Sequence, residues 1–184
     1  MQGKNRNAGG AENIFDGNSL IETFASKDKK GIFQKCLQLI SEIIKTEGYS
    51  RNTPFTSEKA LNLDKVERLR GNVENDNTVD FVVALLPYEL LLVEAKYRIN
   101  NARNLLPKLA DKISHSEALL HSCDNSARIS GKVVLLFPNK NFEVNIRELR
   151  RRINEEKSGV IKSHEIKALR TEDFYSKYFT VCKA

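Results

Sequence analysis

The sequence predicts an α/β fold in which a mixed β-sheet is flanked by helices, with the elements in the order α-β-β-β-α-β-α-β. Two neighbouring apolar runs, residues 78–86 and 89–97, are separated only by Pro87 and Tyr88, and therefore predict an antiparallel hairpin. A further apolar run at 132–137 lies between two helical segments, and its unbroken hydrophobicity is typical of a strand buried on both faces. Strands that begin as a hairpin and continue through helical crossovers form a mixed sheet.

The first half of the chain is predicted to supply one helix and the first strand. Apolar residues recur at helical spacing through residues 32–47, and Gly48 follows as a stop signal. Residues 50–64 are rich in Asn, Thr, Pro and Ser and predict a loop. Residues 66–69 give the weakest of the three strand signals that precede the second helix.

The second half is predicted to alternate helices and strands. Residues 104–121 repeat apolar positions at helical spacing, with Pro107 in the first turn, where proline is tolerated. After the buried strand, the charged segment 145–157 predicts a helix whose Arg and Glu residues pair on a solvent-facing surface. Residues 164–169 predict a last strand, and residues 173–179 predict a short terminal helix.

Length and composition restrict the class of protein. The 184 residues suffice for one domain, predicted at 13–184 after a mobile, Gly- and Asn-rich N-terminus at 1–12. The net charge of +6 favours a polyanionic partner such as nucleic acid. The 3 cysteines are widely spaced and odd in number, which indicates a reducing, cytoplasmic location rather than a disulfide framework. The apolar runs are too short to span a membrane, and no signal peptide is expected.

The pattern that carries chemistry is an aspartate followed, after 13 residues, by Glu-Ala-Lys. Asp80 interrupts one apolar strand of the hairpin, and Glu94 and Lys96 lie at the end of the other. Residues two apart in a strand point to the same face, so Glu94 and Lys96 share a face. Asp80, on the paired strand, can lie beside Glu94 if the register of the hairpin permits it. The two carboxylates and the backbone carbonyl of Ala95 would form an oxygen site suited to Mg²⁺ or Mn²⁺. The lysine could orient a water or offset the charge of a phosphate.

Asp80 followed by Glu94 and Lys96, on two consecutive strands after an amphipathic helix, resembles the PD-(D/E)xK nuclease superfamily over about residues 32–137. Arg98 extends the motif to the Glu-x-Lys-x-Arg of the resolvase-like branch. The resemblance implies a restriction-endonuclease-like core and a Mg²⁺-dependent endonuclease that hydrolyses DNA phosphodiester bonds by attack of a metal-activated water. It implies that Asp80 and Glu94 bind the metal, that Lys96 serves the attacking water, and that a homodimer cuts both strands.

A third acidic residue is expected, because many members of this superfamily carry a glutamate on the first helix. Glu47 lies in the apolar arc of the predicted helix, at its last turn, and is the candidate for this role. Gln34 occupies the early position where resolvase-like proteins place their acid, and Val79 stands where many members have proline. That Glu47 is an ordinary surface residue is an open alternative.

Basic residues cluster immediately after the motif. Five Lys or Arg residues and a single acid, Asp111, lie between positions 96 and 112. Such a stretch can follow a phosphate backbone, although the solvated face of a helix has the same composition. The predicted nucleic-acid-binding residues are Arg98, Arg103, Lys108 and Lys112.

Two other interpretations of the motif remain open. The chain could be a catalytically inactive module that binds DNA or assembles with it through a nuclease fold. It could also be an unrelated α/β interaction protein, in which Glu94 and Lys96 form a surface ion pair and Asp80 lies far from Glu94. A zinc site is disfavoured because the spacing of its candidate ligands matches no usual ligand pair. Those candidates are His115, His121 and Cys123.

Overall fold

The computed structural model describes Phe15 and residues 18–71, 77–98 and 105–180. These residues form a mixed sheet of six strands in which each strand lies beside its neighbour in the sequence. The first four strands pair antiparallel, and the last three run parallel to one another. The strands are β1 (Leu37–Leu39), β2 (Lys59–Asn62), β3 (Phe81–Leu85), β4 (Glu89–Ala95), β5 (Ile129–Phe137) and β6 (Glu165–Arg170).

Helices cover both faces of the sheet, so the predicted α/β class is confirmed. Because side chains alternate along a strand, Val82 faces one core while its neighbours Phe81 and Val83 face the other. The Val82 core includes side chains of six helices: α1 (Ser19–Ser26), α2 (Ile32–Lys35), α4 (Leu63–Leu69), α5 (Leu105–Cys123), α6 (Phe142–Glu155) and α7 (Gly159–Ser163). The Phe81 core includes side chains of α3 (Ile40–Thr46) and α8 (Thr171–Tyr178).

The centre of the sheet is the predicted antiparallel hairpin, which the structure confirms. Phe81, the first residue of β3, lies opposite Val93 in β4. Strand β5 runs parallel to β4, with Leu136 beside Ala95, and residues 133–137 are fully buried as predicted. The start of β3 therefore meets the carboxyl ends of β4 and β5 at one edge of the sheet, where the motif lies.

The prediction of one helix over residues 32–47 is wrong. Two short helices, α2 and α3, are separated by strand β1, in which Leu37 and Leu39 lie opposite Leu61 and Lys59 of β2. The ladder with β2 supplies backbone hydrogen bonds in place of the helical ones that are lost. The apolar positions of this segment fit either structure, and a pairing partner more than twenty residues away selects the strand.

The prediction of a strand at residues 66–69 is also wrong, because these residues belong to helix α4. The side chain of Asn62 accepts a hydrogen bond from the backbone N–H of Lys65 at 2.9 Å and caps the helix. Asp64 follows in the first turn, which is a favourable position for a carboxylate. The strand that joins the hairpin before α5 is instead β2, which lies within residues 50–64, the segment predicted to be a loop.

The elements predicted after the hairpin are confirmed as α5, β5, α6, β6 and α8, each within a few residues of the expected bounds. On α6 the Arg151 guanidinium pairs with Glu148 at 2.8 Å and with Glu155 at 2.7 Å. The predicted salt-bridged surface of this helix is therefore present.

Two expectations concern the chain as a whole. The mobile N-terminus predicted at residues 1–12 lies outside the described residues. Within the ranges that the structure describes, no helix combines the length and apolar character needed to cross a membrane.

Candidate functional site

The register of the hairpin brings Asp80 and Glu94 together. Asp80 immediately precedes Phe81, and Glu94 immediately follows Val93, so the two acids extend the Phe81–Val93 pair by one position. The Oδ2 atom of Asp80 accepts a hydrogen bond from the backbone N–H of Ala95 at 2.5 Å. A pair in this register has its Cβ atoms about 5 Å apart on one face of the sheet. This geometry disagrees with the interpretation in which Asp80 lies far from Glu94.

Both carboxylates are buried, which is unusual for acidic residues. Asp80 is 5% exposed and Glu94 is 0% exposed. Burial, and then repulsion from the Glu94 carboxylate, raise the pKa of Asp80 well above its ordinary value of 3.8. Glu47 adds to this repulsion, while Lys112 opposes it. The site therefore has an excess of buried negative charge around Asp80, which a bound cation would neutralise.

Glu94 is held by two lysines on one of its oxygens. Lys96 Nζ and Lys112 Nζ both contact Glu94 Oε1, the second at 2.9 Å. The other oxygen, Glu94 Oε2, is buried and has no hydrogen-bond partner among the described residues. A buried oxygen that accepts no hydrogen bond lowers the stability of the fold unless a bound ligand interacts with it.

Glu47 lies at this edge of the sheet, together with an acid that the sequence analysis missed. Carboxylate oxygens of Glu47, Asp64 and Asp80 lie within 4.8 Å of one another. Asp64 is the second residue of α4, and the N–H of the first residue, Leu63, donates to the carbonyl of Asp80 at 3.1 Å. Thr78 Oγ1 donates to Asp64 Oδ1 at 3.0 Å. The signal that could have found Asp64 is the Asn cap followed by an acid, which marks a helix start beside the hairpin.

Backbone atoms fix the two ends of the motif. The Ala95 N–H points to Asp80, and the following N–H, of Lys96, donates to the carbonyl of Leu136 at 2.7 Å. The N–H of Val79 donates to Ser116 Oγ on α5 at 2.9 Å. These bonds tie the start of β3 and the end of β4 to α5 and β5. The Ala95 carbonyl as a metal ligand stays a prediction.

The basic residues occupy different environments. Arg98 is exposed, and its Nη2 donates to the carbonyl of Thr46 at the end of α3, at 2.9 Å. Lys108 is exposed on α5, as a lysine that follows a phosphate backbone would be. Lys112 is only 5% exposed, so it does not lie on the expected surface but belongs to the buried cluster around Glu94. Arg103 lies outside the described residues.

The disfavoured zinc ligands do not form a cluster in the described residues. His115 pairs with Glu67 at 3.3 Å, and Cys123 Sγ contacts the carbonyl of Phe24 at 3.7 Å. The group of three acidic, His or Cys ligands that the described ranges do contain is the one formed by Glu47, Asp64 and Asp80.

The backbone conformation at Gly48, the residue after Glu47, is expected to require a glycine. Its φ is +105°, and a Cβ at this position would lie 2.8 Å from Cγ and Nε of Arg98. Gly71 has a similar φ of +91° but open space around it, so it provides a matched control. We expect Gly48→Ala to lower the free energy of unfolding by about 2 to 3 kcal/mol, and Gly71→Ala by about 1 kcal/mol, in urea titrations. Equal losses would show that Arg98 moves aside freely.

Comparison with known proteins gives no family for this chain: no protein-family model, no curated protein and no solved structure matches it. The site is therefore interpreted from its own geometry. It combines four carboxylates and two ammonium groups at the edge of a sheet, and one oxygen of these carboxylates is buried with no hydrogen bond from the described part of the chain.

Proposed function

We propose that the protein is a metal-dependent nuclease that hydrolyses DNA phosphodiester bonds and has a restriction-endonuclease-like core of the PD-(D/E)xK type. The observation that carries the proposal is the juxtaposition of Asp80 and Glu94 across the hairpin, with Lys96 on the Glu94 carboxylate. The order α3, β2, α4, β3, β4, α5 and β5 agrees with the resemblance in that the motif lies on two adjacent strands between helices, and differs from it in that α4 separates β2 from β3.

The residues present fit Mg²⁺ or Mn²⁺. Asp80, Glu94 through Oε2, and the carbonyl of Ala95 would bind the ion, with Glu47 and Asp64 as further carboxylate ligands or as acceptors for its waters. All these donors are oxygen atoms, and such a set favours Mg²⁺ or Mn²⁺ over softer metals. When bound, the ion would acidify a water molecule and offset the charge of the scissile phosphate.

The chain's own residues have separate roles in this proposal. The Lys96 side chain is 22% exposed, and its ammonium group would orient the attacking water and offset phosphate charge. Arg98 and Lys108 are exposed cations that would contact the DNA backbone, and Arg103 is proposed for the same role from the sequence. A homodimer would supply the two sites needed to cut both strands, and a cytoplasmic location stays a prediction.

The direct test is cleavage of supercoiled plasmid and of branched DNA in the presence of Mg²⁺, Mn²⁺ or EDTA. Wild-type protein is expected to cut at least one substrate with either metal, and to lose this activity in EDTA. Asp80→Asn keeps the size and the hydrogen-bond acceptor of the side chain but removes its charge, so it should be inactive. The absence of cleavage by the wild type under all conditions, or full activity in Asp80→Asn, would refute the enzyme assignment.

The alternative is a catalytically inactive DNA-binding or assembly module with the same fold. The observation that favours it is that two lysines already neutralise Glu94 within the protein. A module of this kind would bind DNA equally well with or without divalent ions and would not cut it. Filter-binding or fluorescence-anisotropy measurements in EDTA and in Ca²⁺, alongside the cleavage assay, separate the two functions.

The contribution of the acids outside the hairpin can be measured through metal binding. We expect Asp64→Asn and Glu47→Gln each to weaken Mn²⁺ binding by about tenfold, because each removes a negative charge within 4.8 Å of Asp80 oxygens. Glu42→Gln, an exposed position on α3, is the matched control and should leave the affinity unchanged. Calorimetric titration of the metal-free protein gives the dissociation constants. Unchanged Mn²⁺ affinity in both variants would show that, of the four carboxylates, only those of Asp80 and Glu94 in the hairpin bind the ion.

A further inference from the structure

We propose that Lys112 is an internal counter-ion that competes with the divalent ion for Glu94, and thereby keeps the affinity of the site for metal low. This inference rests on the proposed function, since it concerns the same metal site. It assigns to Lys112 a role that differs from the DNA contact expected from the sequence.

The position of Lys112 is fixed by its surroundings. Its side chain is 7% exposed, and its Nζ lies 2.9 Å from Glu94 Oε1. The flanking α5 residues Leu109 and Ile113 are buried at 1% and 0% exposure. One turn further along α5, Ser116 accepts the hydrogen bond from the N–H of Val79, which fixes this helix against the start of β3. The ammonium group is therefore buried against the carboxylate.

Lys96 differs from Lys112 in this respect. Its side chain is 22% exposed and follows the last residue of β4, so it has access to solvent and to a substrate. The Lys112 side chain is 7% exposed, so among the described residues it is the less accessible of the two lysines on Glu94. Of the two ammonium groups on Glu94, the buried one is thus suited to a permanent electrostatic role.

Charge determines the direction of the effect. Glu94 Oε1 is neutralised by the lysines, while the same carboxylate would offer Oε2 to the ion. A fixed positive charge next to a ligand repels a dication twice as strongly as it repels a single charge, and burial weakens the screening. Removal of the Lys112 charge should therefore leave a more negative site that binds divalent ions more tightly.

The test is calorimetric titration of the metal-free protein with Mn²⁺. Lys112→Met keeps the length and apolar stem of the side chain, and Lys112→Gln keeps a hydrogen-bond donor for Glu94. Both variants are expected to bind Mn²⁺ at least about tenfold more tightly than wild type, which corresponds to about 1.4 kcal/mol. Lys162→Met removes an exposed charge on α7, outside the proposed site, and is the control, with less than about a twofold change expected from screening.

A second measurement uses thermal unfolding in EDTA and in saturating Mn²⁺. The increase in Tm on adding Mn²⁺ should be larger for the Lys112 variants than for wild type, because the metal replaces the missing counter-ion. If Lys112→Met does not fold in EDTA, Lys112→Gln gives the comparison. Unchanged or weaker Mn²⁺ binding in both variants overturns the inference and leaves the nuclease proposal standing. If neither the wild type nor the variants bind Mn²⁺, the metal site does not exist, and this result overturns both proposals.

Discussion

Lys96→Ala is expected to reduce metal-dependent DNA cleavage by at least about 100-fold, without weakening Mn²⁺ binding. The ammonium group of Lys96 contacts Glu94, and the Lys96 side chain is 22% exposed, against 7% for that of Lys112. Of the two lysines on Glu94, Lys96 is therefore the one proposed to meet the substrate. Its removal takes away a positive charge that would stabilise the transition state while leaving the carboxylates in place. Metal affinity should stay the same or rise, because a cation that repels the metal has been lost.

Single-turnover cleavage rates at saturating Mg²⁺, together with Mn²⁺ titrations, measure the two effects separately. Lys162→Ala is the control: Lys162 is exposed on α7, which precedes β6 at the end of the parallel strands remote from Ala95. Its cleavage rate should equal that of wild type. Undiminished cleavage by Lys96→Ala would contradict the proposed role of this lysine, and a parallel loss of Mn²⁺ binding would show that Lys96 acts by holding Glu94.

The parts of the site that the sequence could predict are those fixed by local pairing. A short connection between two apolar strands predicts an antiparallel hairpin, in which the approach of Asp80 to Glu94 is one of the few registers allowed. The structure selects this register because three residues, 86–88, connect β3 to β4, whereas the sequence predicts a connection of two. The alternation of side chains then places Glu94 and Lys96 on one face. These steps require no knowledge of distant residues.

The parts that the sequence could not predict depend on contacts between distant segments. The apolar spacing of Leu37–Leu39 predicts a helix, and only the pairing with β2 shows that these residues form a strand. Strand β2 lies in turn within residues 50–64, whose composition predicts a loop. Because residues 66–69 were predicted as a strand, the start of helix α4 was not predicted, and Asp64 in its first turn was not recognised as part of the site. Lys112 lies at a polar position of an amphipathic helix, and only the packing of α5 against β4 shows that its charge is buried.

Two neutralising substitutions in the hairpin are expected to abolish cleavage but to have opposite effects on folding. Asp80 is buried with its pKa raised by desolvation and by Glu94, so its charge destabilises the metal-free fold. Asp80→Asn can still accept the hydrogen bond from Ala95. We expect it to raise the free energy of unfolding in EDTA at neutral pH by roughly 1 to 2 kcal/mol. Glu94→Gln leaves the buried ammonium group of Lys112 without its counter-ion. This substitution should lower the free energy of unfolding by about 3 kcal/mol.

The pH dependence distinguishes this explanation from a simple packing effect. Because the pKa of Asp80 is higher in the folded than in the unfolded state, its penalty is absent below the ordinary value of 3.8. The penalty grows as pH rises and is complete above the folded-state pKa. The stability gained by Asp80→Asn should therefore increase from mildly acidic to neutral pH, as measured by urea titrations in EDTA at several pH values. A gain that is constant with pH, or a loss in Asp80→Asn as large as in Glu94→Gln, would show that the Asp80 charge is already compensated within the protein.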